Sequence, residues 1–143
     1  MEKLNIGIHL DSSNEIKFII NTPKEDINTE KLKYGYLNVI TPNSEDKTIS
    51  ITSGIQYLYN ESPILECHYS FTFKYEENVN DSVIIENENE IKINQDILNI
   101  ILSVAIGAIR GIMIARTIGT NISKYPLPII GMEELLQSVK ISK

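Results

Sequence analysis

The chain has 143 residues, 42% of them hydrophobic and 22% charged, with a net charge of −6. That length fits one domain, residues 1–143, able to bury roughly two-thirds of its extended surface. The acidic balance counts against nucleic acid, whose phosphates need clustered Lys and Arg, and the single cysteine, Cys67, excludes an internal disulfide.

The first residues, Met1-Glu2-Lys3-Leu4-Asn5, lack the basic start and apolar run of a signal peptide, so a cytoplasmic address is expected. Leu4, Ile6, Ile8 and Leu10 alternate with Asn5, Gly7 and His9, the period of a half-buried strand. Asp11-Ser12-Ser13-Asn14 then reads as a turn and residues 15–20 as a further strand. Thr22-Pro23 breaks that pattern. Residues 34–40 form the next strand, ended by Thr41-Pro42-Asn43-Ser44.

The clearest alternation in the chain comes next. Ile49, Ile51, Ser53, Ile55, Tyr57 and Tyr59 share one face of a long strand, with Gly54 a candidate bulge. After a turn at Asn60-Glu61-Ser62-Pro63, Leu65, Cys67, Tyr69, Phe71, Phe73 and Tyr75 share one face of another. Two such strands make an antiparallel hairpin with one wet face and one dry face. The acidic stretch at residues 76–90, six carboxylates and no base, reads as a solvated loop.

Residues 97–118 are almost wholly apolar and long enough to cross a bilayer. Arg110 near the middle costs about 2.5–3.5 kcal/mol on insertion scales, and Asn99 and Ser103 add to it, which favours a core or interface helix over a membrane span. Asn99, Ser103, Gly107, Arg110 and Thr117 recur at helical spacing as a narrow polar stripe. Gly107 and Gly111, lacking Cβ atoms, are candidates for close contact with a sheet or a partner helix. Asn94 is the expected N-cap, Asp96 suits the first turn, and Gly119 suits a left-handed C-terminal position. The prolines of Tyr125-Pro126-Leu127-Pro128-Ile129-Ile130 forbid helix, and Glu133-Glu134 fit the first turn of a short last helix. The expected class is α+β: an antiparallel meander of about four strands, covered by the long helix and a short one.

Catalytic chemistry is not advertised. His9 and His68 lie on the wet faces of separate strands without a designated partner ligand, and Cys67 points to the dry face as inert packing. Phosphate loops, nucleophile elbows and metalloprotease helices do not occur in the sequence, so the reading is non-enzymatic, with no cofactor and no metal. The aromatic run Tyr57, Tyr59, Tyr69, Phe71, Phe73 and Tyr75 reads first as core. The loop and last helix supply a second apolar patch, suited to holding an extended peptide by apolar contact.

The hairpin at residues 49–75, the helix half at 108–116, Leu127-Pro128-Ile129 and Glu133-Glu134-Leu135 together resemble the SecB export chaperone fold. The resemblance covers roughly the last two-thirds of the chain and is carried by element order more than by residue identity. It implies a cytoplasmic, non-enzymatic homo-oligomer, a dimer or tetramer built on paired long helices, which holds unfolded or partner polypeptide in hydrophobic grooves. By that resemblance Ile118, Ile122, Tyr125, Leu127, Ile129 and Leu135 are client-groove candidates, and Gly107 and Gly111 helix-contact candidates. Family members that serve export carry a flexible polar tail for the export motor. Here Val139-Lys140-Ile141-Ser142-Lys143 is short and basic, so contact with the motor is not expected. A dedicated subunit of the same fold holding one specific partner is the alternative expectation.

Overall fold

The computed structural model describes residues 7–76, 83–86 and 90–142. Three consecutive antiparallel strands, β2 (Leu32–Asn43), β3 (Thr48–Tyr59) and β4 (Ser62–Glu76), form a meander. β1 (Gly7–Ile20) crosses to the far side and pairs with β4, and β7 (Val139–Ile141) adds to β2 in parallel, giving the order β1-β4-β3-β2-β7. β5 (Ile84–Glu86) and β6 (Ile91–Ile93) make a small separate ladder.

Side-chain period explains the hairpin. Every second residue of β3, from Ile49 to Tyr59, is buried, and β4 answers with Leu65, Cys67, Phe71, Phe73 and Tyr75. The aromatic run is therefore core, apart from Tyr69, which is partly exposed. The strands turn at Asn60 and Glu61, whose φ values of 50° and 66° give the left-handed pair that a two-residue hairpin loop requires.

Three local expectations are corrected. Asp11–Asn14 is no turn: β1 runs through it, with register shifts between Leu10 and Ser12 and between Glu15 and Lys17, so the extra residues are absorbed as irregularities. Thr41, Pro42 and Asn43 continue β2 beyond the reach of β7, which pairs only with Asn38, Val39 and Ile40, so Pro42 faces no strand on that side. Gly54 pairs in register on both sides, and the shift in this hairpin falls between Tyr57 and Leu58 instead. Beyond these corrections, the basic tail adds β7, on whose structure no expectation was made. The acidic stretch includes β5, part of it lies outside the described residues, and so do Leu4 and Ile6.

The long helix, α1 (Gln95–Arg116), covers the dry face. Asn94 caps it, its Oδ1 accepting from the backbone N–H of Asp96 at 2.9 Å and of Ile97 at 3.3 Å. Ile97, Leu98, Ile101, Leu102, Ala105, Ile109 and Met113 form one buried stripe against β3 and β4. Each fully buried Ile or Leu there stabilises the packing by about 1.5–3 kcal/mol. By length and composition α1 could cross a membrane, but in this structure the sheet takes its apolar stripe. Thr117 closes the helix, its hydroxyl donating to Met113 O at 2.7 Å, and Gly119 is left-handed at φ 84°.

The short helix α2 (Met132–Gln137) begins with Glu133 and Glu134 in its first turn and buries Leu135. A buried polar thread fixes it to the sheet. Ser53 Oγ donates to Asn38 Oδ1 at 2.6 Å, Asn38 Nδ2 to Ser138 Oγ at 2.8 Å, and Ser138 Oγ to Leu135 O at 2.6 Å. Every donor in that thread finds an acceptor, which is what makes burial of Asn38 and Ser53 tolerable.

Candidate functional site

The sequence from Thr117 onward cannot continue the helix, because Gly119 leaves the right-handed region and the prolines at 126 and 128 rule out helix beyond it. The chain makes a 3₁₀ turn, Asn121–Lys124, then runs without regular secondary structure to α2. Ile122 is the buried foot of that turn.

Side chains from elsewhere hold this segment in place. Tyr57 donates its hydroxyl to Tyr125 O at 2.9 Å, and Tyr125 donates in turn to Ile27 O at 3.2 Å. Asn121 Nδ2 reaches Pro23 O and Glu25 O, both at 3.0 Å, tying the turn to the connection between β1 and β2. Arg110 projects from α1 and donates to two successive carbonyls, Leu127 O at 3.4 Å and Pro128 O at 2.9 Å. Burial pushes the Tyr57 hydroxyl up to about 12, with nearby Arg110 opposing part of that rise, so the tyrosine stays a neutral donor.

Between the end of α1 and the turn lies an apolar cavity of about 140 Å³, lined by Met113, Ile114, Thr117, Ile118, Ile122, Ser123, Tyr125 and Pro126. Beside it a more polar cavity of about 220 Å³ is lined by Asp26, Ile27, Asn121, Lys124 and Tyr125. Tyr125 is the wall shared by both. Of the six groove candidates, three converge here: Ile118, 76% exposed, Ile122 and Tyr125. Leu127 and Leu135 belong to the core, and Ile129 is 95% exposed but lines neither cavity. Met113, Ile114 and Thr117 were not expected at the site. Helical spacing places 114 one turn before 118 and 113 one turn before 117, a signal present in the sequence and masked by the uniform apolarity of the helix.

The remaining candidates lie away from this cavity. A Cβ built on Gly107 or Gly111 would meet nothing within 4 Å, so neither glycine is used for packing among the described residues. Both lie on the side of α1 turned from the sheet, where Ile100, Val104 and Ile114 are also exposed. His9 stands opposite Lys74 and His68 opposite Lys17, so the two imidazoles are well apart along β4. Cys67 is buried in the dry face, and burial pushes its thiol up to about 11, which disfavours the thiolate. On the wet face of the sheet, Gly35 and Gly54 leave a depression of about 320 Å³ bordered by Leu37, Val39, Gln56, Glu66 and His68.

No family model matches the chain, and no curated protein matches it. Among solved structures it is similar to the SecB-like chaperone Rv1957 of Mycobacterium tuberculosis, solved in complex with a ChAD peptide from the Rv1956 HigA1 antitoxin. That likeness has a TM-score of 0.56 at 10% sequence identity and covers 87% of this chain and 90% of the other. The chain has the SecB-like fold.

Proposed function

We propose that this protein is a non-enzymatic holdase that binds unfolded or partner polypeptide through the apolar groove at the end of α1. The observation that carries it is the cavity between Ile118, Ile122 and Tyr125, bordered by Pro126 of an irregular segment that side-chain hydrogen bonds hold rather than a sheet. Its volume is close to that of a dry engineered cavity known to take benzene, about 150 Å³, so one aliphatic or phenyl side chain is the natural occupant. The fold supports the reading, because a SecB-like protein of the same architecture was solved with a peptide bound. Neither a cofactor nor a metal enters it, and a cytoplasmic address goes with it.

The assembly we propose is a homo-oligomer paired through α1. Ile100, Val104, Gly107, Gly111 and Ile114 recur at alternating spacings of four and three, the seam of a helix pair. The two glycines would let a second helix approach closely. Gly107, Gly111, Ile100, Val104 and Ile114 are all open to solvent in the single chain.

A second reading, a dedicated subunit for one partner, is favoured by a specific fact: the peptide in the similar structure comes from one antitoxin. Light scattering with a chemically unfolded client separates the two. A multimer that takes up the client supports the holdase; a multimer that ignores it, yet captures one stoichiometric partner, supports the dedicated subunit. A chain that binds no polypeptide at all refutes both.

A further inference from the structure

Arg110 carries a feature that an apolar groove does not explain. Its side chain is partly buried, yet no carboxylate pairs with it among the described residues; the ion pairs there belong to Lys17, Lys33, Lys74, Lys92 and Arg116. Its contacts run from Nε and Nη2 to the neutral carbonyls of Leu127 and Pro128, which leaves donors of the guanidinium unused. The acids on the elements around it are engaged or placed elsewhere. Burial first, then Glu134 of α2, raises the Tyr36 hydroxyl, Glu133 is exposed in the same first turn, and Asp26 lines the neighbouring polar cavity. A planar guanidinium binds a carboxylate in forked geometry more strongly than it binds carbonyl oxygens.

We infer that the groove recognises an extended polypeptide segment in which an apolar anchor is accompanied by a carboxylate side chain that takes Arg110 from the loop. This deepens the polypeptide-binding reading and rests on it. Arg110 lies one helical turn before Ile114 and two before Ile118, about 6–12 Å along the axis. An extended chain advances about 3.3 Å per residue, so the acid falls roughly two to four residues from the anchor. Leu127-Pro128 is then the resident occupant of the guanidinium in the unbound chain, and it yields to a partner that offers a charge.

The test uses two fluorescent ten-residue peptides rich in Leu and Ile, identical except for one Asp or Asn three residues from the central Leu. Binding is read by anisotropy at about 0.15 M salt, where the Debye length is about 8 Å and the chain's overall negative field is screened. The intact protein is expected to prefer the Asp peptide by roughly fivefold, the difference between charged and neutral hydrogen bonds. In Arg110→Gln the preference disappears, and in Arg110→Lys it shrinks but survives. Equal affinity of the intact protein for both peptides overturns the inference while leaving the groove in place. A preference that persists in Arg110→Gln also overturns it. Failure of both peptides to bind refutes the groove itself, and the inference with it.

Discussion

Gly54 shows how one missing side chain shapes the wet face of the sheet. A Cβ at this position would lie 2.6 Å from Nδ1 and 2.8 Å from Cε1 of His68, so the imidazole occupies the space that glycine leaves. Gly54→Ala should destabilise the protein by about 1–3 kcal/mol through this overlap. The cost should shrink in a His68→Ala background, and equal costs in both backgrounds, read by urea denaturation, would refute the contact. Sequence pattern suggests a bulge at Gly54 because glycine in a strand has two common uses, and only cross-strand register decides between them. At the β1 edge, Glu15 accepts from Tyr69 and pairs with Arg116, whose guanidinium sits 3.9 Å over the Phe18 ring. The Tyr69 hydroxyl first, then Arg116, hold the Glu15 carboxyl below its usual value of 4.5. A carboxylate with a depressed folded value contributes stability that is complete above the unfolded value and drains as pH falls through the folded one. Glu15→Gln should therefore lose less stability than the parent between pH 7 and pH 3, with Glu66, lowered likewise by Lys17, contributing to the slope that remains. An identical acid slope in parent and variant would contradict this.

At the scale of elements, α1 divides its circumference between two tasks. The stripe through Ile97, Ile101, Ala105 and Ile109 is fixed by the sheet, whereas the seam through Gly107 and Gly111 has no partner within the described chain. Gly107→Leu and Gly111→Leu should leave the unfolding midpoint of the single chain nearly unchanged, because nothing lies within 4 Å of either added Cβ. They should instead lower the solution mass. An unchanged mass in both variants would remove α1 from the interface. The helix and its N-cap were legible because Asn94, Asp96 and the apolar run are all local signals. β7 and the continuity of β1 were not, since a three-residue parallel strand and a strand with register shifts both depend on partners distant in sequence. The same limit hid the role of Arg110. Its helical spacing put it in a polar stripe, but its hydrogen bonds go to a loop whose path no local pattern specifies.

For the whole molecule, the architecture explains why a groove can exist without weakening the core. The hairpin and the buried stripe of α1 hold the interior, and the Asn38 thread secures α2. After Gly119 the fully buried apolar residues are Ile122, Leu127 and Leu135, while Tyr125, Ile130, Met132, Leu136 and Val139 pack against the core and stay partly exposed. Three of the groove candidates chosen by resemblance meet at one cavity, and two of the others fell in the core because burial of an apolar loop residue cannot be told from its use by a partner in sequence alone. Ile118 lines the cavity while remaining 76% exposed, so it can be changed without touching the core. The decisive measurement is binding of an unfolded client to the parent and to Ile118→Glu, with melting temperatures recorded alongside. A holdase groove at this position predicts client binding by the parent, roughly tenfold weaker binding by the variant from lost apolar burial and an unpaired charge, and matching melting temperatures. Equal client binding by both proteins, or none by the parent, would contradict it.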